Sequence, residues 1–189
     1  KNNFNHKKLK KFKKSLDYRL IGIGGSSLGA HAIYDFLRHK IKKNFSFLDN
    51  IKIFNNKTNK NKCLNLIVSK SGNTIETIVN INLFLKNNQK NIFIIENQKN
   101  YLNSLAKELK SEIVHHNNFI GGRYSVLSEV GMLPAELMGL NTTKFKQLNN
   151  IVKNKKFLNN LIANVQSILF FVKNKKFNSI ILNYDENSN

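Results

Sequence analysis

The stretch SKSGNTIET, residues 69–77, gathers three hydroxyl side chains, Ser69, Ser71 and Thr74, around one glycine, directly after the apolar run LNLIV. Short hydroxyls, Lys70 and unpaired backbone N–H groups ahead of a helix form a donor set suited to a dianionic phosphate. A helix cap by Thr74 or Asn73 would account for one of these oxygens. It would not account for Ser69 and Ser71 as well. An earlier stretch, IGIGGSSLG (21–29), has the same layout of strand, glycine turn and helix start. Gly25 and Ser26 lie at its centre, where the missing side chains let a ligand approach the backbone. It is not a dinucleotide fingerprint, because Gly22 and Gly24 would want a glycine at 27, where Ser27 stands. No P-loop lysine follows it. Taken alone, a tight turn without a ligand explains it equally well.

A third stretch, GGRYSVLSEVGMLPAELMGL (121–140), sets Arg123 beside Gly121 and Gly122. Arginine is scarce here, occurring at Arg19, Arg38 and Arg123 only. A guanidinium between flexible backbone and open space suits an anion or a developing negative charge. A surface arginine in a loop is the plain alternative.

These loops need elements to hold them. YRLIGIGG predicts a buried strand entering a glycine turn. SLGAHAIYDFLRHK has helical spacing, with Leu28, Ala32, Ile33, Phe36 and Leu37 on one face. NIKIFNN and KCLNLIVS predict short strands. NTIETIVNINLFLKNN predicts a helix carrying Ile75, Ile78, Val79, Leu83 and Phe84. NIFIIEN (strand), YLNSLAKELKSE (helix) and EIVHHN (strand) continue the alternation. Such alternation argues a doubly wound parallel α/β sheet with helices on both faces. Loops at the carboxyl ends of neighbouring parallel strands share one crevice. Residues 1–17 predict a basic helical segment with Leu9, Phe12 and Leu16 on one side. Residues 18–143 hold the α/β domain. Residues 144–189 predict two amphipathic helices joined near KNKKF and then a new strand, NSIILNYD.

The chain has 189 residues, a formal net charge of +20 and 41% hydrophobic residues. Lysine supplies nearly all of the charge and is spread along the chain beside asparagine. This reads as a solvated surface rather than a nucleic-acid face, which would gather arginine for base contacts. No apolar run approaches the ~20 residues that span a bilayer. The basic N-terminus lacks the apolar segment of a secretory signal. The single cysteine, Cys63, excludes an internal disulfide and is expected to be buried and reduced, in a cytoplasmic setting.

In this order and spacing, GIGGSSLG, SKSGNTIET and GGRYSVLSEVGMLPAELMG resemble the glucose-6-phosphate isomerase (phosphoglucose isomerase) family over roughly residues 18–185. The third stretch resembles the family's signature pattern. The first two also resemble the wider class of sugar-isomerase (SIS) domains. The resemblance implies a flavodoxin-like αβα sandwich, the first of the family's two sugar-isomerase halves. It implies aldose–ketose isomerisation of glucose 6-phosphate and fructose 6-phosphate through a cis-enediolate, without metal or cofactor. By resemblance, Ser69, Lys70, Ser71 and Thr74 hold the phosphate, Gly25 and Ser26 line the sugar site, and Gly122 and Arg123 face the enediolate, with Arg123 stabilising its charge. The family is usually a homodimer.

The resemblance also says what to miss. The family's proton-transferring Glu, its ring-opening His and a late Lys lie in stretches that do not occur in these 189 residues. Glu76 and Glu129 read as structural, and neither they nor Glu136 match that base. His115 and His116 end a strand and are poor ring-opening candidates. His6, His31 and His39 read as surface or helix-face residues. Proton transfer needs a positioned base within hydrogen-bond reach, so the chain alone is expected to be inactive or nearly so. A stand-alone phosphosugar-binding module is the alternative, against which the signature around Arg123 argues.

Overall fold

A computed structural model describes residues 4–51, 63–86 and 89–174. The strands are β1 (Asp17–Ile21), β2 (Asn44–Leu48), β3 (Leu64–Val68), β4 (Asn91–Glu96) and β5 (Glu112–His116). They form one sheet in the order β2-β1-β3-β4-β5, parallel throughout. This is the flavodoxin-like order, in which the chain reverses its winding between β1 and β3. Every residue of β3 and β4 is buried. That is why LNLIV and NIFIIE are mostly apolar on both faces rather than alternating, with Asn65, Asn91 and Glu96 the polar exceptions.

Alternation along the strands divides the sheet into two faces. Ile21, Ile67, Phe93 and Ile95 point to one, where they pack with Ile81 of α3 (Ile75–Phe84) and with Leu102 and Ala106 of α4 (Tyr101–Glu108). Arg19 lies on the same side, its guanidinium donating to the Phe84 carbonyl at 3.3 Å. Tyr18 and Phe45 stack on the opposite face, where His31 and Tyr34 of α2 (Leu28–Phe36) meet Phe47. α5 (Glu129–Leu137) packs beside α2 and is buried along its whole length.

The structure shifts two of the expected helix faces. In α2 it buries Ala30 and Ile33 and leaves Leu28 and Phe36 exposed. In α3 it buries Thr77, Asn80 and Ile81 and exposes Ile75 and Leu83. The small and polar positions sit closest to the sheet, so counting apolar residues alone misplaces the stripe. β2 begins at Asn44, earlier than the expected strand in NIKIFNN, most of which lies outside the described residues, as does NSIILNYD. Cys63 is buried just before β3.

The basic N-terminal segment is part of this fold. In and around the short α1 (His6–Leu9), Phe4, Leu9 and Phe12 are buried, while Leu16 is exposed. Polar contacts hold the segment at both ends. Lys43 donates to the carbonyls of Lys13 and Ser15 and to the Tyr18 hydroxyl, which donates to the Phe12 carbonyl at 2.9 Å. Burial pushes the Tyr18 phenol up to about 12. Burial, and then the nearby Lys13 charge, lower the Lys43 ammonium from its ordinary value.

The second anchor is Glu136 on α5. Its buried carboxylate lies 2.8 Å from Lys13 Nζ and 2.7 and 2.8 Å from His6 Nδ1. Burial alone would raise this carboxyl, but the hydrogen bonds and charges of His6 and Lys13 outweigh it and hold the group below its ordinary 4.5.

The chain divides into two compact units, Lys1–Leu140 and Asn141–Asn189. Within the second, a 3-10 stretch (Thr142–Leu148) leads to α6 (Asn149–Lys153) and α7 (Lys155–Lys173). Among the described residues, no helix is long and apolar enough to cross a membrane.

A carboxyl lowered on folding stabilises above its unfolded value, and that contribution is lost as pH falls through the folded value. Glu136→Gln should therefore reduce stability at pH 7 by about 1–2 kcal/mol. The difference from wild type should shrink as pH falls from 7 to 3. Urea unfolding at both pH values measures it. An equal deficit at pH 3 would show that the carboxylate charge contributes nothing.

Candidate functional site

Three loops leave the carboxyl edge of the sheet after β1, β3 and β5, and each turns on a special backbone. The first, residues 22–27, contains Gly24 in the left-handed region at φ 55°. The second, 69–74, contains Gly72 at φ 68°. L-residues with a Cβ adopt this region at a cost. A Cβ on Gly72 would also fall 2.1 Å from the Asn100 side chain, which caps α4 by accepting from Asn103 N–H at 2.8 Å. The third loop, 117–128, meets the first directly. A Cβ on Gly25 would lie 2.3 Å from the Gly122 carbonyl oxygen, so the two backbones touch where no side chain fits. Ser125, buried, reaches the carbonyls of Gly25 and Gly122 at 3.1 and 2.6 Å and shares its one hydroxyl proton between them. The Ser128 hydroxyl donates to the Ser125 carbonyl at 2.6 Å. His116 closes the base of this loop, with its ring nitrogens 3.4 Å from Glu129 Oε2 and 3.2 Å from the Ile120 carbonyl.

In the second loop the hydroxyls are wired to one another. Ser69 is buried, accepts from Gly72 N–H at 3.2 Å and lies 3.0 Å from the Thr74 hydroxyl. Ser71 accepts from Asn73 N–H at 3.3 Å and sits 3.5 Å from Thr74 Oγ1. Thr74 occupies the N-cap position of α3, yet no side chain caps that helix. The Asn73 oxygen instead accepts from Tyr101 N–H, at the start of α4. The capping explanation of these residues therefore fails, and the first-turn N–H groups of α3 keep their capacity for an anion.

Ser26, Lys70, Ser71 and Thr74 line one cleft of about 430 Å³, together with Glu96, Gln98 and Asn118. It lies beside the β1/β3 switch point, where open α/β sheets bind ligands. Lys70 Nζ is 3.2 Å from Glu96 Oε1 and donates to the Asn118 carbonyl at 3.1 Å. Ser69 sits beneath the loop and organises it. Gly25 and Gly122 form the seam between the first and third loops. Arg123 is exposed, outside the cleft lining, and makes no hydrogen bond or ion pair with the described residues. The other two arginines are occupied: Arg38 donates to the Ile41 carbonyl at 2.7 Å and lies over the Tyr34 ring, and Arg19 is held by Phe84.

Sequence reasoning missed Glu96, Gln98, Asn118 and Ser125. Glu96 ends β4, Gln98 lies in the turn after it, and Asn118 lies just ahead of the glycine pair of the third loop. Ser125 was visible two residues after Arg123, but its reach back to Gly25 is a tertiary fact.

Fold and loops together define a doubly wound parallel α/β domain with a ligand-sized cleft at the carboxyl edge of its sheet. The Phosphoglucose isomerase family model matches residues 6–164, and the chain belongs to that family. Glucose-6-phosphate isomerase of Prochlorococcus marinus is 31% identical over 176 residues, covering 79% of this chain and 32% of the relative. The Methanocaldococcus jannaschii glucose-6-phosphate isomerase is 31% identical over 186 residues, covering 88% of this chain and 45% of the relative. A crystal structure of a hypothetical protein from Thermus thermophilus is similar with a TM-score of 0.64 and 25% identity, over 72% of this chain and 37% of that one. The chain thus spans from about a third to just under half the length of these relatives.

The glycine seam gives a direct test. Gly25→Ala drives a methyl into the Gly122 carbonyl and should cost about 1–3 kcal/mol. Gly122→Ala meets nothing within 4 Å. It should stay within about 0.5 kcal/mol of wild type. Denaturant unfolding of both variants compares them. Equal, small effects would mean that the loops part without cost.

Proposed function

We propose that this chain is the phosphate-gripping, enediolate-stabilising half of a glucose-6-phosphate isomerase. The observation that carries the proposal is the convergence of the 22–27, 69–74 and 117–128 loops at one edge of the sheet, with Ser26, Ser71 and Thr74 around a single cleft.

In this reading the substrate's phosphate sits over the start of α3. It accepts from the Ser71 and Thr74 hydroxyls and from backbone N–H groups, with Lys70 at the rim, where Glu96 pairs with it. Ser69 holds the loop in shape. Ser26, in the cleft lining, and Gly25, beside it at the seam with Gly122, border the sugar. The sugar chain then runs toward Gly122 and Arg123. Removal of a proton from the carbon beside the carbonyl leaves an enediolate with negative charge on oxygen. The Arg123 guanidinium, free of other engagements among the described residues, offsets that charge as it develops.

The proton itself needs a base. Glu96 is engaged by Lys70 and, like Glu76, does not correspond to the family's catalytic carboxylate. We assign the proton-transferring Glu and the ring-opening His to the part of the relatives' length that this chain does not span, with the His supplied across a homodimer. Residues 18–143 form the phosphate-binding domain in this reading, and 144–189 lead toward the second half. The reaction requires no metal or cofactor, and a cytoplasmic setting follows from a glycolytic role.

Titration of the chain with fructose 6-phosphate tests the grip. Ser71→Ala and Thr74→Ala should each weaken binding by about 1–2 kcal/mol, the value of a hydrogen bond to a charged oxygen. Unchanged affinity in both would remove the phosphate from this loop. Turnover of fructose 6-phosphate by residues 1–189 alone, abolished by Arg123→Ala, would overturn the assignment of the base elsewhere.

A further inference from the structure

Glu96 is an unusual neighbour for a phosphate. It ends β4, is almost fully buried, and lines the same cleft as Ser71 and Thr74. Of the residues lining the cleft, Lys70 carries the one positive charge and Glu96 the one negative. The two are paired at 3.2 Å, and the Asn118 carbonyl takes a further bond from the same ammonium. The pair is held from below by backbone. Glu96 N–H donates to the Lys70 carbonyl at 3.2 Å, and Gln98 N–H donates to the Glu96 carbonyl at 2.9 Å. The ammonium cannot turn wholly to a ligand without leaving a buried carboxylate unpaired, which is costly.

We propose that Glu96 is a specificity-determining residue of the cleft. By cancelling Lys70 it keeps the lining electrically neutral. The cleft then accepts one phosphate group through hydroxyl and N–H donors and rejects anions that carry a second phosphate. This rests on the phosphate reading above and deepens it. A cleft with an unpaired lysine would favour the more highly charged anion. A neutral one gains nothing from extra charge and still bears the cost of desolvating it. Lys70 then acts mainly by masking Glu96 and by tying the phosphate loop to residue 118 of the arginine-bearing loop.

The test uses the full chain at fixed ionic strength, titrated with inorganic phosphate and with pyrophosphate. Binding is followed by NMR at the Ser71 and Thr74 amides. Wild type should bind phosphate at least as well as pyrophosphate. Glu96→Gln, which keeps the side chain's shape, should tighten pyrophosphate by about tenfold and phosphate by clearly less. Lys70→Met should weaken both by about tenfold, because it uncovers Glu96. The double variant should return to within about threefold of wild type. A merely structural role for the pair would not produce that rescue. Phosphate binding with an unchanged phosphate-to-pyrophosphate ratio in Glu96→Gln overturns the inference and leaves the phosphate reading standing. A double variant as weak as Lys70→Met makes Lys70 a direct ligand and also overturns it. No phosphate response in wild type overturns both the inference and the reading beneath it.

Discussion

The contact on which the site depends is backbone against backbone: Gly25 pressed on the Gly122 carbonyl at the carboxyl edge of the sheet. It brings a loop after β1 together with a loop after β5, although β3 and β4 separate those strands. Only a residue without a Cβ fits at position 25 in such an approach, whereas position 122 has room for one. The Ser125 hydroxyl, placed between the two carbonyls, satisfies oxygens that close packing would otherwise leave without water. The Arg123 position follows from this seam, since it is the next residue along.

A second constraint shapes the phosphate loop. Ser69, Ser71 and Thr74 bond to one another and to the loop's own N–H groups, so the loop holds its form without a ligand. Gly72 and Asn73 are spent on the start of α4 rather than on α3. The α3 start is thereby left without a side-chain cap while the loop around it is fixed. Preorganisation of this kind lets donors meet an anion with little further ordering.

Charge is treated differently at two buried carboxylates. Glu136 receives both His6 and Lys13, which anchors the N-terminal segment on α5. Glu96 receives Lys70 within the cleft itself. The first pairing serves the fold. The second lies where a ligand would sit and bears on which ligand is accepted.

The sequence by itself determined the parallel α/β alternation and the three loops, because continuous apolar runs ending in glycine and hydroxyl residues have few other solutions. It also marked Arg123, through the scarcity of arginine and the flanking glycines. Tertiary structure alone decided which positions of α2 and α3 face the sheet, since Ala30, Thr77 and Asn80 are buried by proximity rather than hydropathy. It alone brought Glu96, Gln98 and Asn118 to the cleft, from the end of β4 and from the turns after β4 and β5. The pairing of Lys70 with Glu96 belongs to the same class. Twenty-six residues apart in the chain, they meet because β3 and β4 are neighbours in the sheet, and strand order is set by packing of the whole sheet rather than by either strand.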